Sequence, residues 1–198
     1  MIQNKKDADM TSSRPQGRPS GKESTKTVII QTAQKVFAEN GYNGSGLRAI
    51  AQQAGVDPST VLYFFKTKLG LFQEVAQRAS KALLPVFAAL AAEKPGKDIA
   101  RIYLSIWESE EYGASLKALV KTTLGSNQAR SVLQEILTDR LSSSSGPENQ
   151  LAIELCMAHL LGIAIARYLT ELPIISTMSL EESIQEAGSI LDAIRHLA

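Results

Sequence analysis

The residues of this 198-residue chain best equipped for covalent or metal chemistry are one cysteine, Cys156, and two histidines, His159 and His196. The histidines fall on different helical stretches, and neither has the set of carboxylate and cysteine partners that a zinc site or a Cys–His nucleophile pair requires. Gly17-Arg18-Pro19-Ser20-Gly21-Lys22-Glu23 has the look of a phosphate loop, but it is one spacer short. Glu23 also stands where a magnesium-binding hydroxyl would be needed, and no strand precedes it. Gly41, Gly44 and Gly46 are in the wrong order for a dinucleotide turn. Glu110 and Glu111 are adjacent and diverge on a helix, which makes them a poor acid/base couple. The expectation is no catalytic residue, no metal and no cofactor, hence no enzyme.

Cations and hydroxyls are the groups left to act together. The formal net charge is only +1, yet residues 1–70 carry ten basic and five acidic groups, while residues 71–198 carry 11 and 15. A basic front third suits a polyanionic partner. A lone cysteine excludes an internal disulfide and points to a reducing compartment, the cytoplasm. The greasiest run, Leu151 to Leu172, contains Glu154, His159, Arg167 and Glu171, so no membrane span is expected.

The elements that must position these groups are helices. Residues 1–23 hold few large apolar side chains among Pro, Gly and Ser and read as a mobile basic arm. From Ser24 the residues Ile29, Ala33, Val36 and Phe37 recur at helical spacing until Asn40-Gly41. Leu47, Ile50, Ala51 and Ala54 form one face of a second, short helix that stops at Gly55. Asp57 then Pro58 starts a third, with a side-chain acceptor at the N-cap and no N–H at the first position, running to Phe64 or Phe65. Two short helices joined by a tight Gly-containing turn form a helix-turn-helix. Thr67 can cap a long helix from Lys68 to about Ala92, bent at Pro85. Further helices are expected at Asp98–Glu108, Ala114–Leu124, Asn127–Leu141, Glu148–Thr170 and Leu180–Leu197, the last opened by a Ser179/Glu182 capping box, with a flexible loop over residues 142–147. No stretch alternates with period two, so the fold class is all-α. Its division is an arm (1–23), a helix-turn-helix domain (24–70) and a helical ligand-binding and dimerisation domain (71–198).

The segment GYNGSGLRAIAQQAGVDPSTVLYFFKTKLGLF, residues 41–72, strongly resembles the DNA-binding domain of the tetracycline-repressor (TetR-like) family of transcription regulators. A Gly-Tyr pair follows helix one, the second helix reads x-I-A-x-x-A-G-V, and the third ends in an aromatic-Phe-x-x-Lys signature. With the first helix included, the resemblance covers roughly residues 20–75. It implies that the third helix enters a major groove, with Pro58, Ser59, Thr60 and Tyr63 at base edges. It puts Arg48 where family members often reach a guanine, and Ser45, Tyr63, Lys66, Thr67 and Lys68 at phosphates. Leu62 departs from the family, standing where a tyrosine is usual; Gly46 replaces a capping threonine, and Asp57 adds a negative charge. Arg14 and Arg18 look like a loose minor-groove hook, although a solvated basic tail reads equally well.

The remainder resembles regulatory domains of the same family less specifically. By resemblance, a small-residue stripe of Ala158, Gly162 and Ala166, with Ile184, Ala187, Gly188, Leu191 and Ile194 on the last helix, forms the interface of a homodimer across a two-fold axis. Phe87, Tyr103, Leu104, Trp107, Met157 and His159 are the residues expected to line a cavity for an unknown small-molecule effector, and an ordinary core accounts for each of them equally well. The function implied is a ligand-released repressor on a pseudo-palindromic double-stranded DNA operator. The alternatives are a sequence-tolerant architectural DNA-binding protein, or a helical small-molecule binder with a vestigial helix-turn-helix.

Overall fold

The computed structural model describes residues 21–144 and 147–197. Arg14, Arg18 and most of the arm lie outside the described residues, as do residues 145–146 of the loop expected over 142–147, whose other residues belong to α8 and α9. Eleven helices follow in order among the described residues: α1 (Gly21–Gly44), α2 (Leu47–Gln53), α3 (Pro58–Phe65), α4 (Lys68–Ala82), α5 (Leu84–Ala91), α6 (Gly96–Glu108), α7 (Gly113–Gly125), α8 (Asn127–Ser144), α9 (Pro147–Tyr168), α10 (Pro173–Thr177) and α11 (Leu180–Leu197). There is no strand among them, and the all-α class holds.

Local chemistry sets most of these boundaries. Gly41, at φ 66° and ψ −179°, breaks the helical path of α1 where Asn40-Gly41 is expected to end it. Gly55, at φ 67°, supplies the turn between α2 and α3. Asp57 accepts from the Ser59 amide at 2.8 Å and Pro58 takes the first helical position. Ser179 and Glu182 exchange the two bonds of the expected capping box, Glu182 N to Ser179 Oγ at 3.2 Å and Ser179 N to Glu182 Oε2 at 2.8 Å.

Two expectations need correcting. The single bent helix from Lys68 to Ala92 is two helices, separated at Leu83. Pro85 has no N–H to give the Lys81 carbonyl and its ring crowds that turn, so α4 stops and Pro85 sits in the first turn of α5. Between Thr170 and Leu180, where no helix is expected, α10 forms. Arg167 holds it by donating to the carbonyls of Ile175 at 3.0 Å and Met178 at 2.7 Å.

One hydrophobic core runs from Ile29 in α1 to Leu191 in α11. Phe37, Tyr42 and Phe72 meet at its front end with ring centroids 5.7–6.0 Å apart, joining α1 to α4. Burying a ring of this size contributes about 1.5–3 kcal/mol. Behind this cluster α1 lies along α7 over the most extensive helix pairing in the molecule. Asn43 donates to the Gly125 carbonyl at 2.9 Å, tying the far ends of the two helices together.

The small-residue face of α11 is packed inside the chain, which corrects the expected dimer surface. Ile184, Ala187 and Leu191 are fully buried and Ile194 is half-buried. A Cβ on Gly188 would fall 2.6 Å from the backbone of Lys97, and one on Gly96 would strike the Gly188 carbonyl. The small residues admit α6 rather than a second copy. Asp192 accepts from the Gly96 amide at 2.9 Å, and Glu181 bridges Lys97 and Arg101 at 3.0 and 2.8 Å.

Candidate nucleic-acid interface

The third helix presents one outward face. Ser59, Leu62, Tyr63 and Lys66 recur at intervals of three and four residues and are all exposed, whereas Val61 and Phe65 are buried on the opposite side. Pro58 and Thr60 flank the face, half-buried. Tyr63 is 61% exposed, an unusual position for a ring that the core could have taken. The Lys66 ammonium lies 5.5 Å from its centroid and donates to its carbonyl at 3.0 Å. Arg48 on α2 is exposed and makes no ion pair among the described residues.

The joint between α3 and α4 is tightly built. Lys66 holds φ 63° and ψ −47°, and the Thr67 amide donates to the Phe65 carbonyl at 2.6 Å, closing a γ-turn of the rare positive-φ hand. Such a backbone costs about 1–3 kcal/mol and persists only where its surroundings enforce it. Thr67 then caps α4 by accepting from the Gly70 amide at 2.9 Å. A Cβ on Gly70 would overlap the Phe65 carbonyl oxygen, so only glycine lets the first turn of α4 come this close to the end of α3.

That joint aims Lys68. Its ammonium sits 4.4 Å from the centroid of the Tyr42 ring, and partial burial lowers its affinity for a proton. Tyr42 is itself pinned between Phe37 and Phe72, and burial raises its phenol. The Gly-Tyr pair after helix one thus acts in two ways, since Gly41 turns the chain and Tyr42 forms a floor for the cation at the start of α4. Asp57 does place a carboxylate beside α3, held ionised below its usual range by the hydrogen bonds from Ser59.

Ser45 corrects an expectation. It is 3% exposed, and its hydroxyl donates to the carbonyls of Gly41 at 2.6 Å and Val36 at 3.2 Å, so it closes the bend after α1 instead of facing solvent. Lys22 and Thr25 are additions that the sequence reading lacks. An open groove of about 390 Å³ between the start of α1 and α3 is lined by Lys22, Thr25, Ser59, Thr60, Tyr63 and Phe64. Assigning Lys22 to the arm hides it; α1 begins at Gly21, which puts Lys22 on the first turn beside α3.

In the second half of the chain Phe87, Tyr103, Leu104 and Trp107 are buried. Trp107 lies 6.1 Å from Tyr103 and stacks on Tyr168 at 5.5 Å with the rings nearly parallel. The Tyr168 hydroxyl donates to Glu108 at 2.9 Å, and burial, then that carboxylate, push its phenol up to about 12. Met157 lies eleven residues before Tyr168, on the same side of α9 but about 16 Å along its axis from the Trp107 contact. His159 lies nine residues before Tyr168, on the opposite side, so it does not join the Trp107 cluster as expected. Nε2 of His159 is buried without a hydrogen-bond partner, whereas Trp107 interacts with the Tyr103 hydroxyl.

Ala158 and Gly162 are exposed and Ala166 is half-buried. With Leu151 at 63%, Leu155 at 44% and Leu161 at 39% exposed, they make a largely apolar face on α9, interrupted by the exposed Glu154. The described helix Asn149–Tyr168 is long and apolar enough by composition to cross a bilayer, with about a fifth of it buried. Its inner side packs on α11, α10 and α6.

An all-helical chain whose basic front end turns one exposed face of a short third helix outward has the layout of a helix-turn-helix protein with a helical second half. Residues 29–75 match the model of bacterial regulatory proteins of the tetR family, and residues 93–194 match the tetracyclin repressor-like C-terminal domain. The second match alone takes in just over half of the chain, and the protein belongs to the TetR family of bacterial transcription regulators. The probable HTH-type transcriptional regulator YttP of Bacillus subtilis is 26% identical over 122 residues, which are 59% of this chain and 59% of that protein. The HTH-type transcriptional repressor BepR of Brucella suis is 40% identical over 55 residues, 28% of this chain and 26% of that one. The chain therefore spans three-fifths or less of the curated relatives it matches. A crystal structure of a TetR-family regulator from Streptomyces coelicolor is 26% identical, covers 90% of this chain and 98% of its own, and superposes with a TM-score of 0.60.

Proposed function

We propose that the protein is a homodimeric repressor that grips a pseudo-palindromic double-stranded DNA operator through α3 and is released by a small molecule. The observation that carries this reading is the outward face of α3, where Ser59, Tyr63 and Lys66 stand clear of the core beside an exposed Arg48. Residues 24–70 form the head and 71–198 the body. Arg48 reads a base, and Pro58, Ser59, Thr60 and Tyr63 meet base edges. Lys66, Thr67 and Lys68, joined by Lys22, meet phosphates. Arg14 and Arg18 follow the adjacent minor groove.

The open apolar face of α9 supports the dimer. A second copy laid on Leu151, Leu155, Ala158, Leu161 and Gly162 would remove it from water. The buried aromatic cluster of Tyr103, Trp107 and Tyr168 supports the effector, with Phe87, Leu104 and Met157 as further candidate lining residues. The effector must favour one spacing of the heads over another. A cytoplasmic location belongs to the same reading.

The test is Arg48→Ala titrated against a selected operator and a scrambled duplex. A bidentate arginine–guanine pair discriminates by about 1–3 kcal/mol, so the ratio of the two affinities should fall by about fivefold or more for each half-site. An unchanged ratio would remove Arg48 from base reading.

A further inference from the structure

Leu62 is the anomaly on the outward face of α3. It is 46% exposed, with polar or basic neighbours Ser59, Tyr63 and Lys66 on the same face. The core had room for this helix's apolar residues on its other side, where Val61 and Phe65 are buried. A leucine has no donor or acceptor and gains nothing beside a phosphate, whose oxygens it would strip of water. Within a major groove a base pair offers one apolar group, the C5-methyl of a pyrimidine. We infer that Leu62 is a specificity-determining residue that reads a pyrimidine C5-methyl, making this protein select a thymine at one step of each half-site. The inference rests on α3 being the major-groove element.

The position of Leu62 supports this over a role in folding. It lies one residue before Tyr63 and four before Lys66, the central residue of the γ-turn, whose amide donates to the Leu62 carbonyl at 2.9 Å, so its place on the helix is fixed by a stiff joint. Removing a side chain that is half in water leaves the core intact. Its neighbours set the approach: the Lys66 cation draws the backbone of one strand, and the Tyr63 ring stands beside it. The same methyl can be supplied by thymine or by 5-methylcytosine, and the two can be separated chemically.

The experiment uses the full chain and the duplex it enriches most strongly from random DNA. Each thymine in turn is replaced by deoxyuridine, which deletes only the methyl. Burial of one such group is worth about fourfold in affinity. The wild type should weaken by about that factor at one thymine of each half-site, and Leu62→Ala should lose the sensitivity there. Lys66→Ala should bind more weakly on every duplex and keep it. Replacing that thymine–adenine pair by cytosine–guanine and then by 5-methylcytosine–guanine should restore part of the binding in the wild type and nothing in Leu62→Ala. Indifference of the wild type to every deoxyuridine, or equal sensitivity in Leu62→Ala, would overturn the inference while leaving α3 in its groove. Failure to enrich any duplex would overturn the groove reading itself, and Leu62 with it.

Discussion

Replacing Lys68 by alanine isolates the electrostatic part of DNA binding. The ammonium is held 4.4 Å above the Tyr42 ring, and the cap from Thr67 and the close approach at Gly70 fix where it points. A cation so placed is ordered before DNA arrives and costs little entropy to engage. Each phosphate neutralised contributes about 0.9 to the slope of log affinity against log salt. A dimer has two such lysines, so Lys68→Ala should flatten the slope by about 1.8. Between 1 M and 0.1 M salt that difference amounts to about 60-fold in affinity, or roughly 2.5 kcal/mol at the lower concentration. The loss should be the same on operator and on scrambled DNA, because phosphates carry no sequence. Fluorescence anisotropy at three salt concentrations measures all of this. The variant should also lose the cation–π contact, about 0.5–1 kcal/mol of fold stability, which denaturant titration reads separately. Tyr42→Phe keeps the ring and should leave the slope alone. A wild-type slope in Lys68→Ala would refute the placement of this lysine at a phosphate.

Two further outcomes follow from the second half of the chain. Leu155→Glu puts a charge in the open face of α9 without touching the core, since Leu155 is 44% exposed; sedimentation should show monomers and operator affinity should collapse, whereas an intact dimer would place the interface elsewhere. Glu181 is held at about 2 by its hydrogen bonds from Arg101 and then Lys97, below its unfolded value near 4.5. Its contribution is therefore fully present above about pH 4.5 and lost as pH falls through 2. The gap in melting temperature between wild type and Glu181→Gln should close over that window, and a constant gap would refute the linkage.

What the sequence made legible was local. Gly41, Gly55, Asp57-Pro58, Thr67 and the Ser179/Glu182 pair each act within a few residues, so the turns within the head and the start of α11 could be read directly, whereas the start of α1 at Gly21 could not. The split at Leu83 was half legible: Pro85 marked the disturbance, but whether a helix bends or breaks depends on what packs around it. α10 was not legible, since Arg167 builds it from eight and eleven residues away. The face of α11 was legible as a close-packing surface, but nothing local says whether α6 or a second copy will use it. Ser45 turned inward because the Gly41 bend delivers two carbonyls to it, a geometry no spacing rule contains.

The central claim, that a pair of α3 helices reads sequence across a two-fold axis, is tested most directly by enriching bound duplexes from random DNA with the purified full chain. The expected product is an inverted repeat with half-site centres about 34–36 Å apart, bound by two chains. A bound pool as random as the starting one, or a single asymmetric site filled by one chain, would contradict it.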